Sequence, residues 1–274
     1  MRDEEEEEEE ELNQKAVLEQ VFGHSSDDED DNDDEMFDSD SDCDIAYKLE
    51  QVFGPSSDED DGSGDRSDSD SDYDNFYNLD KTYNCEWECI SEVKGLWMLR
   101  NFLSISQQSR LLSSIESEKW FTEPSINQAM RFGFKNLPYW AISLSFSIRH
   151  CSSFSKYQLP PNLMQREPIF DQMITNVYQP GEGICPHIDL LRFEDAIAIV
   201  SLESSCVMHF TTETQRVPVL LTPGSLILMF GDARYVWKHE INRKPGFQMW
   251  NGELLNQSKR TSITLRKLSP SPSS

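Results

Sequence analysis

Four short segments of this chain carry side chains whose types and spacing could do metal and carboxylate chemistry. The first is His187-Ile188-Asp189. On an extended backbone, side chains two apart face the same way, so an imidazole and a carboxylate would converge on one point. His-x-Asp alone is weak, because chance copies are common. The second is His239, at the end of Arg234-Tyr-Val-Trp-Lys-His239. Two histidines and one carboxylate form the facial triad of non-haem Fe(II) oxygenases, which leaves open metal positions for a cosubstrate and O2. Zinc is the rival for the same ligands. The third segment separates the two metals. Arg260-Thr-Ser-Ile-Thr-Leu-Arg266 sets two guanidinium groups six residues apart, an even spacing that puts both on one face of a strand. That pair suits a dicarboxylate, with one cation at its far end and one near its metal-bound end. A zinc hydrolase has no need of it. The fourth is Asn176-Val-Tyr178, whose polar ends would share a strand face and reach carboxylate oxygens.

Residues so far apart in the chain need a scaffold that folds distant strands together. From residue 172 onward, short β-rich runs alternate with breakers. The runs are Met173–Tyr178, Ala196–Leu202, Val207–Phe210, Val217–Leu221, Leu226–Phe230, Tyr235–Trp237 and Ser262–Leu265. The breakers include Pro180-Gly181, Thr222-Pro-Gly224, Gly231-Asp232 and Lys244-Pro-Gly246. Many short strands at this spacing predict a sandwich or barrel. Upstream, Ser104–Ile115 has the apolar spacing of a helix, with Ser104 as its cap. Leu137–Ile148 reads as a second helix, with Pro138 in its first turn and Trp140, Leu144 and Ile148 along one face. The fold class expected is mainly β with packed helices, a jelly-roll core preceded by helices. Trp237 reads as core and Cys185 as packing.

Charge divides the 274 residues into two materials. Residues 1–84 hold 33 of the 50 acidic residues and 5 of the 24 basic ones, a net of −28. Residues 85–274 carry a net of +2 and have the length of one globular domain, with its β-core at about 170–268. The acidic segment cannot bury enough apolar surface to offset its ordering entropy, so a disordered tail is expected. It contains a repeat. Leu18-Glu-Gln-Val-Phe-Gly23 recurs as Leu49-Glu-Gln-Val-Phe-Gly54, and each copy is followed by a serine-acidic run. These are either docking motifs for a partner or a duplicated solubilising tail, and the serines suit acidophilic kinases. No run of residues is apolar enough for a membrane span. The Met1-Arg2-Asp3 start, followed by glutamates, is the opposite of a secretory signal. A cytoplasmic or nuclear, non-secreted protein is expected, and its six cysteines are read as reduced thiols. Cys85 and Cys89 could share a metal, but no second pair stands at finger spacing.

Taken jointly, His187-x-Asp189, His239, Arg260-x5-Arg266 and Asn176-x-Tyr178 resemble the AlkB-like Fe(II)/2-oxoglutarate-dependent dioxygenases. Tyr178-Gln-Pro-Gly-Glu-Gly-Ile-Cys-Pro-His-Ile-Asp189, Arg234-Tyr235 and Arg260-Thr-Ser262 are similar to the AlkB domain of the branch that modifies the tRNA wobble uridine. The resemblance is clearest over residues 170–268, weaker over 90–170, and does not reach the tail. It implies a double-stranded β-helix holding Fe(II) through His187, Asp189 and His239, with 2-oxoglutarate and O2 as cosubstrates. It implies that Arg260 and Tyr178 hold the distal carboxylate of 2-oxoglutarate, with Arg266 and Asn176 nearer its metal-bound end. The reaction implied is oxidative demethylation or hydroxylation.

The substrate is less legible. Asn127-Gln-Ala-Met-Arg-Phe-Gly133 resembles the start of a nucleotide lid, in which Arg131 could meet a phosphate or base edge and Phe132 could pack on a flipped base. An ordinary loop between helices is the plain alternative. The lid is short, since Leu137-Pro138 follows almost at once, and Leu190-Leu191 is apolar where some repair relatives carry polar groups. A basic face could form from Arg131, Lys135, Arg149, Lys156, Arg243, Lys244 and Lys259. The expected substrate is a modified base, in RNA or tRNA rather than DNA. The alternatives are the same chemistry on a protein side chain, with a basic protein recruited by the tail, and a non-catalytic adaptor acting through the tail.

Overall fold

A computed structural model describes residues 85–153, 163, 165–242, 244 and 246–270. The acidic tail of residues 1–84 with its repeat, and Lys156 and Arg243 of the basic set, lie outside the described residues. In chain order the first elements are β1 (Glu88–Cys89), β2 (Leu96–Leu99), helix α1 (Ile105–Ser117), β3 (Gln128–Phe132), helix α2 (Tyr139–Ser153), β4 (Gln172–Tyr178) and β5 (Ile184–His187). Then come β6 (Ile197–Leu202), β7 (Cys206–Thr211), β8 (Arg216–Leu221), β9 (Leu226–Met229), the short helix α3 (Asp232–Tyr235) and β10 (Lys238–Ile241). The small hairpin β11 (Met249–Trp250) and β12 (Glu253–Leu254) and the strand β13 (Arg260–Arg266) complete the order.

Two antiparallel sheets carry all the strands but those of the β11–β12 hairpin. The larger has the order β1-β2-β9-β6-β13-β4-β3, and the smaller β5-β10-β7-β8. Side-chain alternation shows how they pack. Strand β6, Ile-Ala-Ile-Val-Ser-Leu, is buried at every position. Ala198, Val200 and Leu202 join a cluster with Leu111, Ile115, Trp140, Leu144 and Ile148 of the two long helices. Ile197 and Ile199 join a second cluster with Met208, Phe210, Val219 and Leu221 of the smaller sheet. The larger sheet is thus covered by helices on one face and by the smaller sheet on the other. Strand β13 obeys the same alternation. Ile263 and Leu265 enter the helix-side cluster, so Arg260, Ser262 and Arg266 face the smaller sheet. Each fully buried Ile or Leu contributes roughly 1.5–3 kcal/mol, and the apolar face of β13 holds its polar face in place.

The expected helices form. Ser104 caps α1 in a capping box with Gln107, and the Pro138 carbonyl accepts from Ala141 N and Ile142 N at the start of α2. Three expectations are corrected. Tyr235–Trp237 is not a strand: after Gly231 (φ 55) the chain turns helical, and Val236 N and Trp237 N both donate to Asp232 O, so pairing starts only at Lys238. Local hydrogen bonds there outweigh β-propensity, which depends on context. Asn127–Gly133 is not an open loop either, because Gln128–Phe132 pairs along β4 from Gln128↔Asn176 to Phe132↔Gln172. Nor are all six cysteines thiols. Cys85 and Cys151 form a disulfide across 5.2 Å between Cα atoms, which removes Cys85 as a metal partner for the exposed Cys89. No helix among the described residues is long and apolar enough to cross a membrane.

Candidate active site

Strand pairing brings the two histidines together. His239 on β10 is the cross-strand partner of His187 at the end of β5, and their ring centroids are 4.2 Å apart. Asp189 follows two residues after His187, just beyond the strand, and is buried. One potential ligand atom from each of His187, Asp189 and His239 lies within 4.8 Å of the others, close enough to share a metal ion. His187 Nδ1 is 2.8 Å from the Cys185 carbonyl. A carbonyl only accepts, so Nδ1 carries the proton and Nε2 is the ring nitrogen left for a metal.

Electrostatics prepare two of these groups, Asp189 and His239. Burial alone would raise the Asp189 pKa, but Arg266, His239, His187 and Arg234 outweigh it and hold the carboxyl well below the usual range. Arg266 Nη1 donates to Asp189 Oδ1 at 2.8 Å, and its Nε donates to Gln172 Oε1 at 2.6 Å. Burial and the neighbouring His187 push the His239 imidazole down to about 3, against the opposing pull of Asp189. The 3.7 Å approach of His239 Nε2 to Asp189 Oδ2 is therefore no ion pair. An ionised carboxylate and a neutral imidazole are the forms that ligate metals.

The other end of β13 has a different character. Arg260 is 4% exposed, and its Nε donates to Ser201 Oγ at 3.0 Å. Its guanidinium carbon lies 5.2 Å from the Tyr178 ring centroid. Nη1 and Nη2 are buried and have no hydrogen-bond partner among the described residues. Arg260 lines a small cavity together with Tyr178, Gln179, Glu182, Ser204, Cys206 and Ile241. Burial raises the Tyr178 pKa against the opposing effects of Arg260 and Ser262, so the phenol keeps its proton. A buried cation with two uncommitted nitrogens, beside a phenol donor, fits an anionic oxygen pair such as a carboxylate. The donor set thus suits a dicarboxylate cosubstrate as well as a metal.

Asn176 faces the same side, opposite Ser262 on β13, and its Oδ1 accepts from Gln128 Nε2 at 2.7 Å. The residues expected to meet substrate separate. Phe132 pairs with Gln172 and so shares the site face of the larger sheet, where the Arg192 guanidinium stands 5.5 Å from its ring. Arg131 pairs with Met173 and turns to the helix side. There it lies 4.6 Å over the Trp120 ring and donates to Met130 O. Two residues of the expected basic face are in ion pairs, Arg149 with Glu167 and Lys259 with Glu203.

Sequence reasoning gave no role to Gln172, Ser201 or Arg234. Arg234 is 2% exposed and donates to the carbonyls of Asp189 (2.8 Å) and Leu190 (2.5 Å). Its sequence signals were its place in the Arg234–His239 segment and the family resemblance of Arg234-Tyr235, neither of which gave it a role.

A sequence model of the 2OG-Fe(II) oxygenase superfamily matches residues 95–266, a span containing every residue of this cluster. The chain is 31% identical over 211 residues to the tRNA (carboxymethyluridine(34)-5-O)-methyltransferase ALKBH8 of Macaca fascicularis, covering 65% of this chain and 31% of that protein. It is 25% identical over 218 residues to the alkylated DNA repair protein ALKBH8 homolog of Arabidopsis thaliana, covering 66% of this chain and 60% of that protein. It is 37% identical over 95 residues to the mitochondrial alpha-ketoglutarate-dependent dioxygenase alkB homolog 7 of Mus musculus, covering 33% of this chain and 42% of that protein. The match thus spans about a third of the first of these relatives.

Proposed function

The chain belongs to the 2OG-Fe(II) oxygenase superfamily, whose enzymes use Fe(II), 2-oxoglutarate and O2, and we propose that it oxidises a modified base in RNA, with tRNA the favoured carrier. The observation that carries the oxygenase reading is the pairing of the His187, Asp189 and His239 cluster with the uncommitted, buried nitrogens of Arg260. Bound there, Fe(II) with 2-oxoglutarate and O2 supplies oxidation of a substrate C–H bond, with succinate and CO2 as the products of the cosubstrate.

The chain's own residues do the rest. The Cys185 carbonyl fixes the His187 ring and its tautomer. Arg266 keeps Asp189 ionised, and burial keeps His239 neutral. Arg260 and Tyr178 receive the distal carboxylate of 2-oxoglutarate, while Arg266 and Asn176 lie toward its other end. Burial of Asp189, His239, Arg260 and Arg266 keeps water from those groups, which strengthens the charge interactions among them. A hydroxyl placed on a carbon arm of the base remains as an alcohol; placed on an N-methyl group, it leads to loss of formaldehyde.

Support for a nucleic-acid substrate comes from the names of the relatives, one a tRNA methyltransferase and one a DNA repair protein. The test is succinate formation from 2-oxoglutarate by the purified full chain, under air with added Fe(II), with and without total tRNA. The expected result is succinate that depends on His187, shown by its loss in His187→Ala, and that rises with tRNA. Stimulation by basic peptide and not by tRNA would move the substrate to a protein side chain. No succinate from folded, iron-loaded protein with either addition would overturn the oxygenase reading.

A further inference from the structure

Strand pairing holds two of the three metal-site side chains, His187 and His239. Asp189 has no such support. It lies past the end of β5, in the segment that runs to β6. Its carboxylate is held by Arg266 Nη1 at 2.8 Å. Its segment pairs with the chain after β13 only farther on, at Phe193↔Leu268, so the backbone at Asp189 and Leu190 must be placed by other contacts.

Two side chains cross between that segment and α3 in opposite directions. Arg234, on α3, sends Nη1 to Asp189 O at 2.8 Å and Nη2 to Leu190 O at 2.5 Å, with Phe193 O at 3.4 Å from the same nitrogen. Asp195, at the far end of the segment, accepts from Gly231 N at 2.9 Å, at the start of α3. Its Oδ1 also accepts from Ala196 N at 2.8 Å. Ala196 has φ 69, a left-handed conformation that a residue with a Cβ rarely adopts. Such a conformation persists only when its surroundings over-determine it. The start of the Asp189 segment is thus held by α3, and the start of α3 is held by the end of the segment. His239 follows Arg234 by five residues, so the same short helix leads directly into the strand that carries it.

The chemistry suits the task. A guanidinium is costly to bury unless its donors are paired. Its rigid planar fork fixes the acceptors it binds, whereas an ammonium is a point donor on a flexible stem. We propose that Arg234 and Asp195 form a clasp that sets the position of Asp189 relative to His239, and that it controls metal affinity without either residue touching the metal. The clasp rests on the metal-site reading above. Both are positioning residues.

The test uses full-length protein titrated with Co(II) alone, followed by its visible absorption. The variants are Arg234→Met, Arg234→Lys, Asp195→Ala and Asp195→Asn, with folding checked by circular dichroism. Outer groups that orient ligands typically change metal affinity by roughly 10–100-fold. A Kd for Co(II) raised about tenfold or more is therefore expected in Arg234→Met, Arg234→Lys and Asp195→Ala, together with an altered absorption band. Asp195→Asn keeps an oxygen acceptor and is expected to stay within about twofold of the unaltered protein. Affinity of the Co(II)-loaded variants for 2-oxoglutarate should change far less, because Arg260 stands on β13; a general loss of structure would move both.

Unaltered Co(II) affinity in folded Arg234→Met and Asp195→Ala overturns the clasp. So does full rescue by Arg234→Lys, which would assign the effect to charge and not to the fork. Should Arg234→Met fail to fold, the Asp195→Ala and Asp195→Asn pair decides. Unaltered protein that binds no Co(II) overturns the metal reading itself, an outcome distinct from equal binding by all variants.

Discussion

Arg260 holds a full positive charge in a place that water scarcely reaches, and only its Nε has a hydrogen-bond partner among the described residues. A buried ion without a matched partner costs stability, and replacing it by an apolar side chain of similar volume is often neutral or stabilising. Arg260→Met is therefore expected to leave the melting temperature of the ligand-free protein unchanged or higher. The same substitution should abolish the rise in melting temperature that 2-oxoglutarate produces in metal-loaded protein. Thermal unfolding with and without 2-oxoglutarate checks both halves; a clear drop in the ligand-free protein would mean that Arg260 holds the fold. At this scale the grouping of these side chains was largely legible. His187-x-Asp189, Arg260-x5-Arg266 and Asn176-x-Tyr178 have even spacings, and an even spacing on a strand is a statement about shared faces. Arg234 was not legible in this way, because its partners are backbone carbonyls, which every residue possesses. Arg131 and Phe132 were read together, but adjacent residues on a strand face opposite ways, so the two part company on β3.

Elements that combine period and punctuation were readable, and those made by their neighbours were not. The runs at 173–178, 196–202, 207–210 and 217–221 carry β-branched or apolar residues between breakers, and they appear as strands within a residue or two. Strand β3 has no such pattern. It exists because β4 offers it an edge. The cross-link between Cys85 and Cys151 joins residues 66 apart and depends on where α2 docks. Gly95 shows what a breaker does physically. Its φ is 90, and a Cβ there would stand 1.9 Å from Phe230 O, where β2 and β9 meet. Gly181 has a similar φ of 87, but its Cβ would meet nothing within 4 Å. Left-handed backbone costs a residue with a Cβ roughly 1–2 kcal/mol. Gly181→Ala should lose about that much, and Gly95→Ala clearly more, because backbone must shift as well. For a domain of this size each kcal/mol is about 2–4 °C in melting temperature, so thermal unfolding separates them; equal losses would refute the close approach at Gly95.

At the scale of the whole molecule, the charges divide sharply along the chain. Residues 1–84 carry a net of −28, and residues 85–274 a net of +2. Should the domain bind RNA as proposed, a polyanion in the same chain would compete with the RNA backbone for the domain's cations. With Arg149 and Lys259 in ion pairs, the expected basic face draws on fewer free cations than the sequence count suggests. Such a competition would be intramolecular and so independent of protein concentration, and it would be electrostatic and so weakened by salt. Deleting residues 1–84 is therefore expected to tighten RNA binding on the order of tenfold at low salt. The difference should shrink as ionic strength rises and the Debye length falls toward a few ångströms. Fluorescence anisotropy of a labelled tRNA, with full-length and shortened chains across a salt series, measures this directly. Equal affinities at low salt would refute the competition and leave the repeated Leu-Glu-Gln-Val-Phe-Gly patches as docking sites to be tested against basic protein partners. A gap that survives at high salt would instead point to the apolar patches as the competing element, because screening leaves apolar contacts intact.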